Sequence, residues 1–402
     1  MRHLLLSTMF FTYVLFHSFN NNVNAEELPS VSGESAILID ATTGTVLYEK
    51  NANVSMYPAS ITKIATGIYA IENGNPDDIV TVSKKARYVE GTRVYLGEGE
   101  QVPLRKLEYG LLMNSGNDAA IAIAEHLAGS EEQFAEKLNQ YLSDKVGVSK
   151  THFANASGLH DDNHYTTASD MAKIAQYAMK NDTFRTIVGT IRLPWDGAEW
   201  KTVLINHNKL LRDYEGATGI KNGFTDQAMS TLVGSAKRGN TEFIAVTMKT
   251  SSSAMAYQDV RNLLDYGFAH YETKLATNKG ASFQPSGQKN EYLADEDIYV
   301  TVPLGATLQT SVTSAGQLIV TAGEQKYEFM LTPKLVPAPA KPAVVKADKG
   351  ENGEDSLSAP YVALFAAWLL LNIVLVLYAW VRRNRRQRKI AEKTIYRRMG
   401  QP

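Results

Sequence analysis

The strongest constraint on this chain is an uncharged, apolar run near its C-terminus. No charged residue occurs between Asp355 and Arg382, and after Pro360 the sequence reads YVALFAAWLLLNIVLVLYAWV to Val381. A helix of that length crosses roughly 30 Å of bilayer hydrocarbon. Tyr361 stands at one end and Tyr378 with Trp380 at the other, where interfacial aromatic belts form. A buried core helix is the alternative, but it would end in the cations of Arg382-Arg383-Asn384-Arg385-Arg386-Gln387-Arg388-Lys389 with no acidic partners beside them. The run therefore predicts one C-terminal transmembrane helix, 360–381. Positive charge concentrates on the cytoplasmic side of such helices, which puts a basic tail, 382–402, in the cytoplasm and the rest outside. Asn372, mid-span, fits a helix–helix contact better than a site.

The opposite end agrees with this topology. Met1-Arg2-His3 leads into an apolar stretch, Leu4 to Phe16, and then into Val23-Asn24-Ala25. A charged start, a short apolar core and small-residue punctuation describe a signal peptide, 1–25, with an uncleaved anchor as the alternative. The tail beyond Val381 holds nine Lys and Arg against Glu392 alone. Setting aside that surplus of eight and Arg2, the net −1 of the whole chain becomes −10 for the segment between. An acidic body with a basic tail argues against nucleic-acid binding. The absence of cysteine excludes a disulfide scaffold, a thiolate metal site and a cysteine nucleophile. With 44% hydrophobic and 21% charged residues, the body can bury a core.

Pro337-Ala338-Pro339-Ala340-Lys341-Pro342 and the charged residues after it read as a stalk, 337–359. Before it, Ile298-Val300-Val302, Leu318-Val320 and Tyr327-Phe329-Leu331 alternate with polar residues between Gly305, Gly316 and Gly323, which predicts a small β-sandwich module over 276–336. The larger part, 26–275, opens with a hairpin (Ala36–Asp40, Val46–Tyr48) and closes with another (Met229–Ala236, Phe243–Val246). Helical periodicity runs between and after them at 104–113, 118–127, 134–146, 169–179 and 260–268. The expected class is α+β: an antiparallel sheet flanked by helices, with a helical subdomain.

Three short patterns occur in order: Ser60-Ile61-Thr62-Lys63, Ser115-Gly116-Asn117 and Lys221-Asn222-Gly223. Ile61, Ile64, Ile68 and Ile71 recur at helical spacing after Ser60, so Ser60 begins a helix with a buried face, and Lys63 lies on the same face as Ser60. Ser60 could be an ordinary N-cap. An N-cap, however, expects Glu or Gln three residues on, and the positive end of the helix dipole disfavours a cation there. That field and partial burial would make a neutral amine accessible at Lys63, and a neutral amine beside a hydroxyl is an activated nucleophile. Ser115-Gly116-Asn117 taken singly also reads as an inter-helix turn, and Lys221-Asn222-Gly223 as a strand-edge charge before a turn.

Together, the three resemble the penicillin-recognising serine enzymes, and within them the low-molecular-mass D-alanyl-D-alanine carboxypeptidases of the S11 peptidase family. The resemblance covers about 30–275 and extends through Leu112 to Ala119, Gly219 to Thr225, Ala156-Ser157-Gly158-Leu159 and Tyr165-Thr166-Thr167-Ala168. It implies that Ser60 attacks the carbonyl between the terminal D-alanines of a peptidoglycan stem peptide and that Lys63 takes its proton. Ser115 and Asn117 would relay a proton and orient the substrate amide. Lys221, Asn222, Gly223, Phe224 and Thr225 would bind substrate. The backbone N–H groups of Ser60 and Phe224 would form the oxyanion hole, and β-lactams would acylate Ser60. The family usually has Thr where this chain has Asn222; an amide still donates a hydrogen bond, with altered geometry. His207 is a weaker candidate for the substrate carboxylate. The resemblance calls for neither metal nor cofactor, and His160-Asp161-Asp162-Asn163-His164 reads as a polar loop rather than a zinc site. The alternatives are a non-catalytic wall-binding or β-lactam-sensing protein, a DD-endopeptidase and, less well matched, a β-lactamase.

Overall fold

The computed structural model describes residues 28–334. The expected signal peptide, stalk, transmembrane helix and basic tail lie outside those residues. Among the described residues no helix is long and apolar enough to cross a membrane.

The opening and closing hairpins meet in one sheet. Its strands are β1 (Ser35–Asp40), β2 (Val46–Lys50), β3 (Ala217–Thr225), β4 (Met229–Arg238) and β5 (Thr241–Thr250), in the order β2-β1-β5-β4-β3. Every pairing is antiparallel, and β1 meets β5 with Ile37 opposite Val246 and Ile39 opposite Ile244. Side chains of a strand alternate between faces, and here both faces are covered. Ile37 and Ile39 join the core under the helical part, while Ala36 and Leu38 join Val260, Leu263 and Leu264 on the other side. That double coverage is why SAILID is a nearly continuous apolar run rather than an alternating one.

Among the described residues the helices of eight residues or more are α1 (Lys63–Asn73), α2 (Leu104–Met113), α3 (Asn117–Ala128), α4 (Glu131–Tyr141), α5 (Ala168–Met179), α6 (Asp182–Gly189) and α7 (Ser253–His270). α1 is the central one: every residue from Lys63 to Ala70 is buried. The turns from Lys63 to Ala70, buried all round, have no solvent stripe, and the ionisable Lys63 at their start is the residue to be explained. Two helices differ from the sequence expectation because of their caps. The Ser252 hydroxyl accepts from Met255 N and starts α7 well before residue 260, and the Ser130 hydroxyl accepts from Gln133 N and starts α4 before 134. Past Tyr141 the expected helix continues only as a wide π-type turn, Leu142–Val146. The hairpin of Arg192–Asp196 and Lys201–Ile205 was not visible in the sequence, because it buries little beyond Trp195 and Leu204.

The β module starts earlier than residue 276. Strand β6 (Tyr271–Thr277) follows α7 directly and pairs with β7 (Ile298–Pro303). β8 (Leu308–Val312), β9 (Gln317–Ala322) and β10 (Gln325–Met330) form a second sheet. Two-residue strands at 282–283, 292–293 and 332–333 form a third. Val300, Val302, Leu318, Val320 and Leu331 are buried among them. The polar residues of β6 hid the true start: Thr273 turns inward, and its hydroxyl donates to the buried carboxylate of Asp40 at 2.6 Å, as Thr301 does at 2.9 Å. Asp40 also accepts from the backbone of Thr42 and Thr43, so one side chain ties the first hairpin to the module.

Candidate active site

Ser60 sits in a tight turn, Ala59–Thr62, immediately before α1, and not on the helix itself. Its hydroxyl caps nothing. Ala59 has φ +51°, a left-handed conformation that alanine adopts only when its surroundings impose it. The imposing contacts are clear. The Thr62 hydroxyl donates to Ala59 O at 2.8 Å, and the same hydroxyl oxygen lies 2.8 Å from His164 Nε2. His164 Nδ1 accepts from Ala154 N at 3.0 Å, so the ring's hydrogen must be on Nε2, directed at Thr62. Burial, the largest cause, pulls the His164 pKa down to about 3, and the ring stays neutral and stacked on Phe153. Gly158 closes the arrangement, since a Cβ there would lie 2.0 Å from Ala59 O.

Lys63 is buried, and its Nζ has three neighbours: Ser60 Oγ at 3.1 Å, Asn117 Oδ1 at 2.7 Å and Ser157 O at 2.5 Å. The last two are carbonyl oxygens and can only accept. The orientation of Asn117 is fixed, because its Nδ2 donates to Glu90 O at 2.7 Å. A neutral amine has two hydrogens and one lone pair. The carbonyls take both hydrogens, and the lone pair is left to face the Ser60 hydroxyl. Burial, and after it the charge of Lys221, push the Lys63 pKa well below that of an ordinary lysine; the carboxylates of Asp118 and Glu131 oppose this more weakly.

The second segment reaches the site between α2 and α3. Asn117 begins α3. The buried Asp118 carboxylate accepts from Val94 N and Leu96 N, holding the 90–96 loop against the start of that helix. Ser115 is nearly buried, at φ +62°, and its hydroxyl makes no hydrogen bond to Ser60 or Lys63. The amide of Asn117 has both its atoms on protein partners, so the structure uses it to hold Lys63, in addition to whatever it offers a ligand.

The third segment is β3. Lys221 is buried, its Nζ donates to Asn222 O at 2.8 Å, and burial lowers its pKa to about 7. A Cβ at Gly223 would come within 2.7 Å of Ser60 N, so the strand passes directly against the Ser60 turn and only glycine fits. The Thr231 hydroxyl, on neighbouring β4, donates to Pro58 O and fixes the approach. Phe224 projects into solvent, 64% exposed, and the Thr225 hydroxyl accepts from Ala228 N within the next turn. These two residues therefore present backbone rather than side chain. His207 donates its backbone N–H to Met113 O, and burial, then Lys221, pull its imidazole pKa to about 4. A neutral imidazole is a weak partner for a carboxylate. The arrangement can activate a hydroxyl with a neutral amine beside a second buried lysine, which titrates at about 7, and an N–H-lined strand.

A family model described as D-alanyl-D-alanine carboxypeptidase, Peptidase_S11, matches residues 22–252. The chain belongs to this family. It is 37% identical over 249 residues to D-alanyl-D-alanine carboxypeptidase DacF of Bacillus subtilis, a match covering 60% of this chain and 63% of that one. It is 31% identical over 336 residues to DacA of Escherichia coli K12, covering 76% of this chain and 80% of that one. Among solved structures, penicillin binding protein 5 from Haemophilus influenzae matches with a TM-score of 0.69 at 26% identity, covering 76% of this chain and 98% of that one. Penicillin binding protein 6B from Escherichia coli matches with a TM-score of 0.66 at 28% identity, covering 77% of this chain and 99% of that one. The α+β architecture of this carboxypeptidase family member is thus that of its structural neighbours.

Sequence reasoning passed over Thr62 and His164, and the only local signal was a threonine inside the first motif. Thr62→Val keeps the shape and removes the hydroxyl that joins His164 to Ala59 O. Losing that buried link, worth about 1–3 kcal/mol, should slow acylation by a labelled penicillin about fivefold or more. Stopped-time labelling of a folded variant checks it, and an unchanged rate contradicts the positioning role.

Proposed function

We propose that this chain is a membrane-anchored serine D-alanyl-D-alanine carboxypeptidase acting on peptidoglycan stem peptides. The observation that carries the reading is the buried Lys63 amine, 3.1 Å from Ser60 Oγ with both its hydrogens directed at carbonyls. The lone pair accepts the Ser60 proton as Oγ attacks the carbonyl between the two D-alanines. The developing oxyanion lies between the N–H groups of Ser60 and Phe224, where fixed donors stabilise it most. The C–N bond then breaks, and D-alanine leaves with a proton passed from Lys63 through the Ser115 hydroxyl. In the free protein that hydroxyl bonds neither Lys63 nor Ser60, so the relay closes only when bound substrate draws it into reach. Water hydrolyses the ester on Ser60, with Lys63 again as base. Lys221 and the Asn222 amide receive the substrate's terminal carboxylate. A β-lactam follows the first half of this path and stays on Ser60.

The sequence supports the rest of the reading. A signal peptide, 1–25, exports the chain, the helix 360–381 anchors it through the stalk 337–359, and the basic tail 382–402 remains in the cytoplasm. The catalytic domain then faces the cell wall.

Incubated with a pentapeptide ending in D-Ala-D-Ala, the purified protein should release D-alanine, and Ser60→Ala should abolish release and penicillin labelling together. Turnover retained by Ser60→Ala would overturn the assignment. The pH profile has a definite sign. Acylation needs Lys63 neutral and Lys221 charged, so it rises as pH climbs through the depressed Lys63 pKa and falls as Lys221 deprotonates at about 7. Lys221→Arg, which does not deprotonate in this range, should remove the alkaline fall. A fall that persists unchanged in that variant would contradict it.

A further inference from the structure

We infer that the cavity beside the Ser60 turn receives the amine-bearing side chain of the diamino acid that precedes D-alanyl-D-alanine in the stem peptide, with Asp162 as its counter-ion. The inference rests on the carboxypeptidase reading and adds a specificity pocket to it. The direction of the substrate follows from the site. Its terminal carboxylate belongs at Lys221, and its scissile carbonyl at the point where Gly223 passes against Ser60 N. The residues on the acyl side must then run along β3 past Thr225, toward the turn that follows.

A cavity of about 260 Å³ opens there, lined by Met56, Tyr57, Asp162, Tyr165, Gln227 and Lys249. Its walls continue the segments that build the catalytic turn. Tyr57 precedes Pro58-Ala59-Ser60, and Gln227 follows Thr225. Asp162 and Tyr165 belong to the loop that carries Gly158 and His164. Tyr57 packs edge-on against His160 of that loop, with ring centroids 4.8 Å apart. Pockets that enclose a whole small ligand hold about 300–1,000 Å³, so this one suits a single side chain.

Charge decides which side chain. Lys249 Nζ lies 3.0 Å from Glu34 Oε2 and is already matched. The Asp162 side chain is 91% exposed, and its only described ionic neighbour is His160 Nε2 at 3.6 Å. The unmatched charge in the cavity is therefore negative. The rings of Tyr57 and Tyr165 offer surface for the methylene stem of a lysine-like chain and a face for its ammonium.

The test compares two pentapeptides that differ only at the residue before D-Ala-D-Ala, L-lysine in one and Nε-acetyl-L-lysine in the other. The wild-type protein should favour the free amine in kcat/KM by about twofold to fivefold, the worth of an exposed ion pair. Asp162→Asn should lose that preference, keep wild-type turnover of the acetylated peptide and keep wild-type labelling by penicillin. Equal rates on both peptides in the wild type, or a preference that survives Asp162→Asn, would overturn the pocket while leaving the carboxypeptidase reading intact. Failure of turnover together with failure of labelling would overturn both.

Discussion

A lysine amine with no contact with water is the constraint on which the rest of the site depends. Moving an ammonium from water into protein costs several kcal/mol unless it is paired, and among the described residues no carboxylate touches Lys63 Nζ. Its neighbours are two carbonyl oxygens and a hydroxyl. The least costly way to satisfy this environment is to give up the proton, and the lone pair so exposed points at the only neighbour able to donate. Reactivity at Ser60 is thus a consequence of where the fold puts a lysine, and the buried positive charge of Lys221 strengthens it.

Holding that arrangement takes segments from across the sequence. β1 and β5 close the sheet, bringing β3 to the same end as the Ser60 turn, and the glycine at 223 lets strand and turn touch. The loop of 154–166 acts as the back wall: Ser157 O takes a hydrogen from Lys63, Ala156 O one from Thr66, and His164 orders Thr62. Asn117 and Asp118 hold the opposite wall through Glu90, Val94 and Leu96. Each contact is modest alone. Together they over-determine a left-handed alanine and a buried amine, both of which would relax if left unsupported.

Much of this was legible in the sequence, for reasons that can be named. Lys63 broke the capping rule for the first turn of a helix, and a broken local rule at a buried position signals function. The module's strands were visible because they alternate with period two, and the sheet's because they are short apolar runs bounded by turn residues. What escaped the sequence was made by long-range contact. Nothing local marks Ala59 as left-handed, and nothing in the His160–His164 loop says that one histidine packs on Tyr57 while the other lies buried against Thr62. Asn117 read as a group for the substrate, and nothing local showed that its amide also holds Lys63 and Glu90. Thr225 read as a binding residue, and nothing local showed that its hydroxyl closes a turn and leaves its backbone to face the site. The start of the β module was misplaced because β6 is fastened by threonines, which carry no hydrophobic pattern.

The protonation state of one nitrogen tests the account most directly. With lysine labelled at Cε and Nζ, and the Lys63 resonance assigned by its loss in Lys63→Met, an NMR titration reads that state in the resting protein. The account predicts a neutral amine at pH 7, with a pKa that rises in Lys221→Met yet stays below that of an ordinary lysine, because burial remains. An ammonium signature that persists to pH 9 would contradict it, and Ser60 would then need another base.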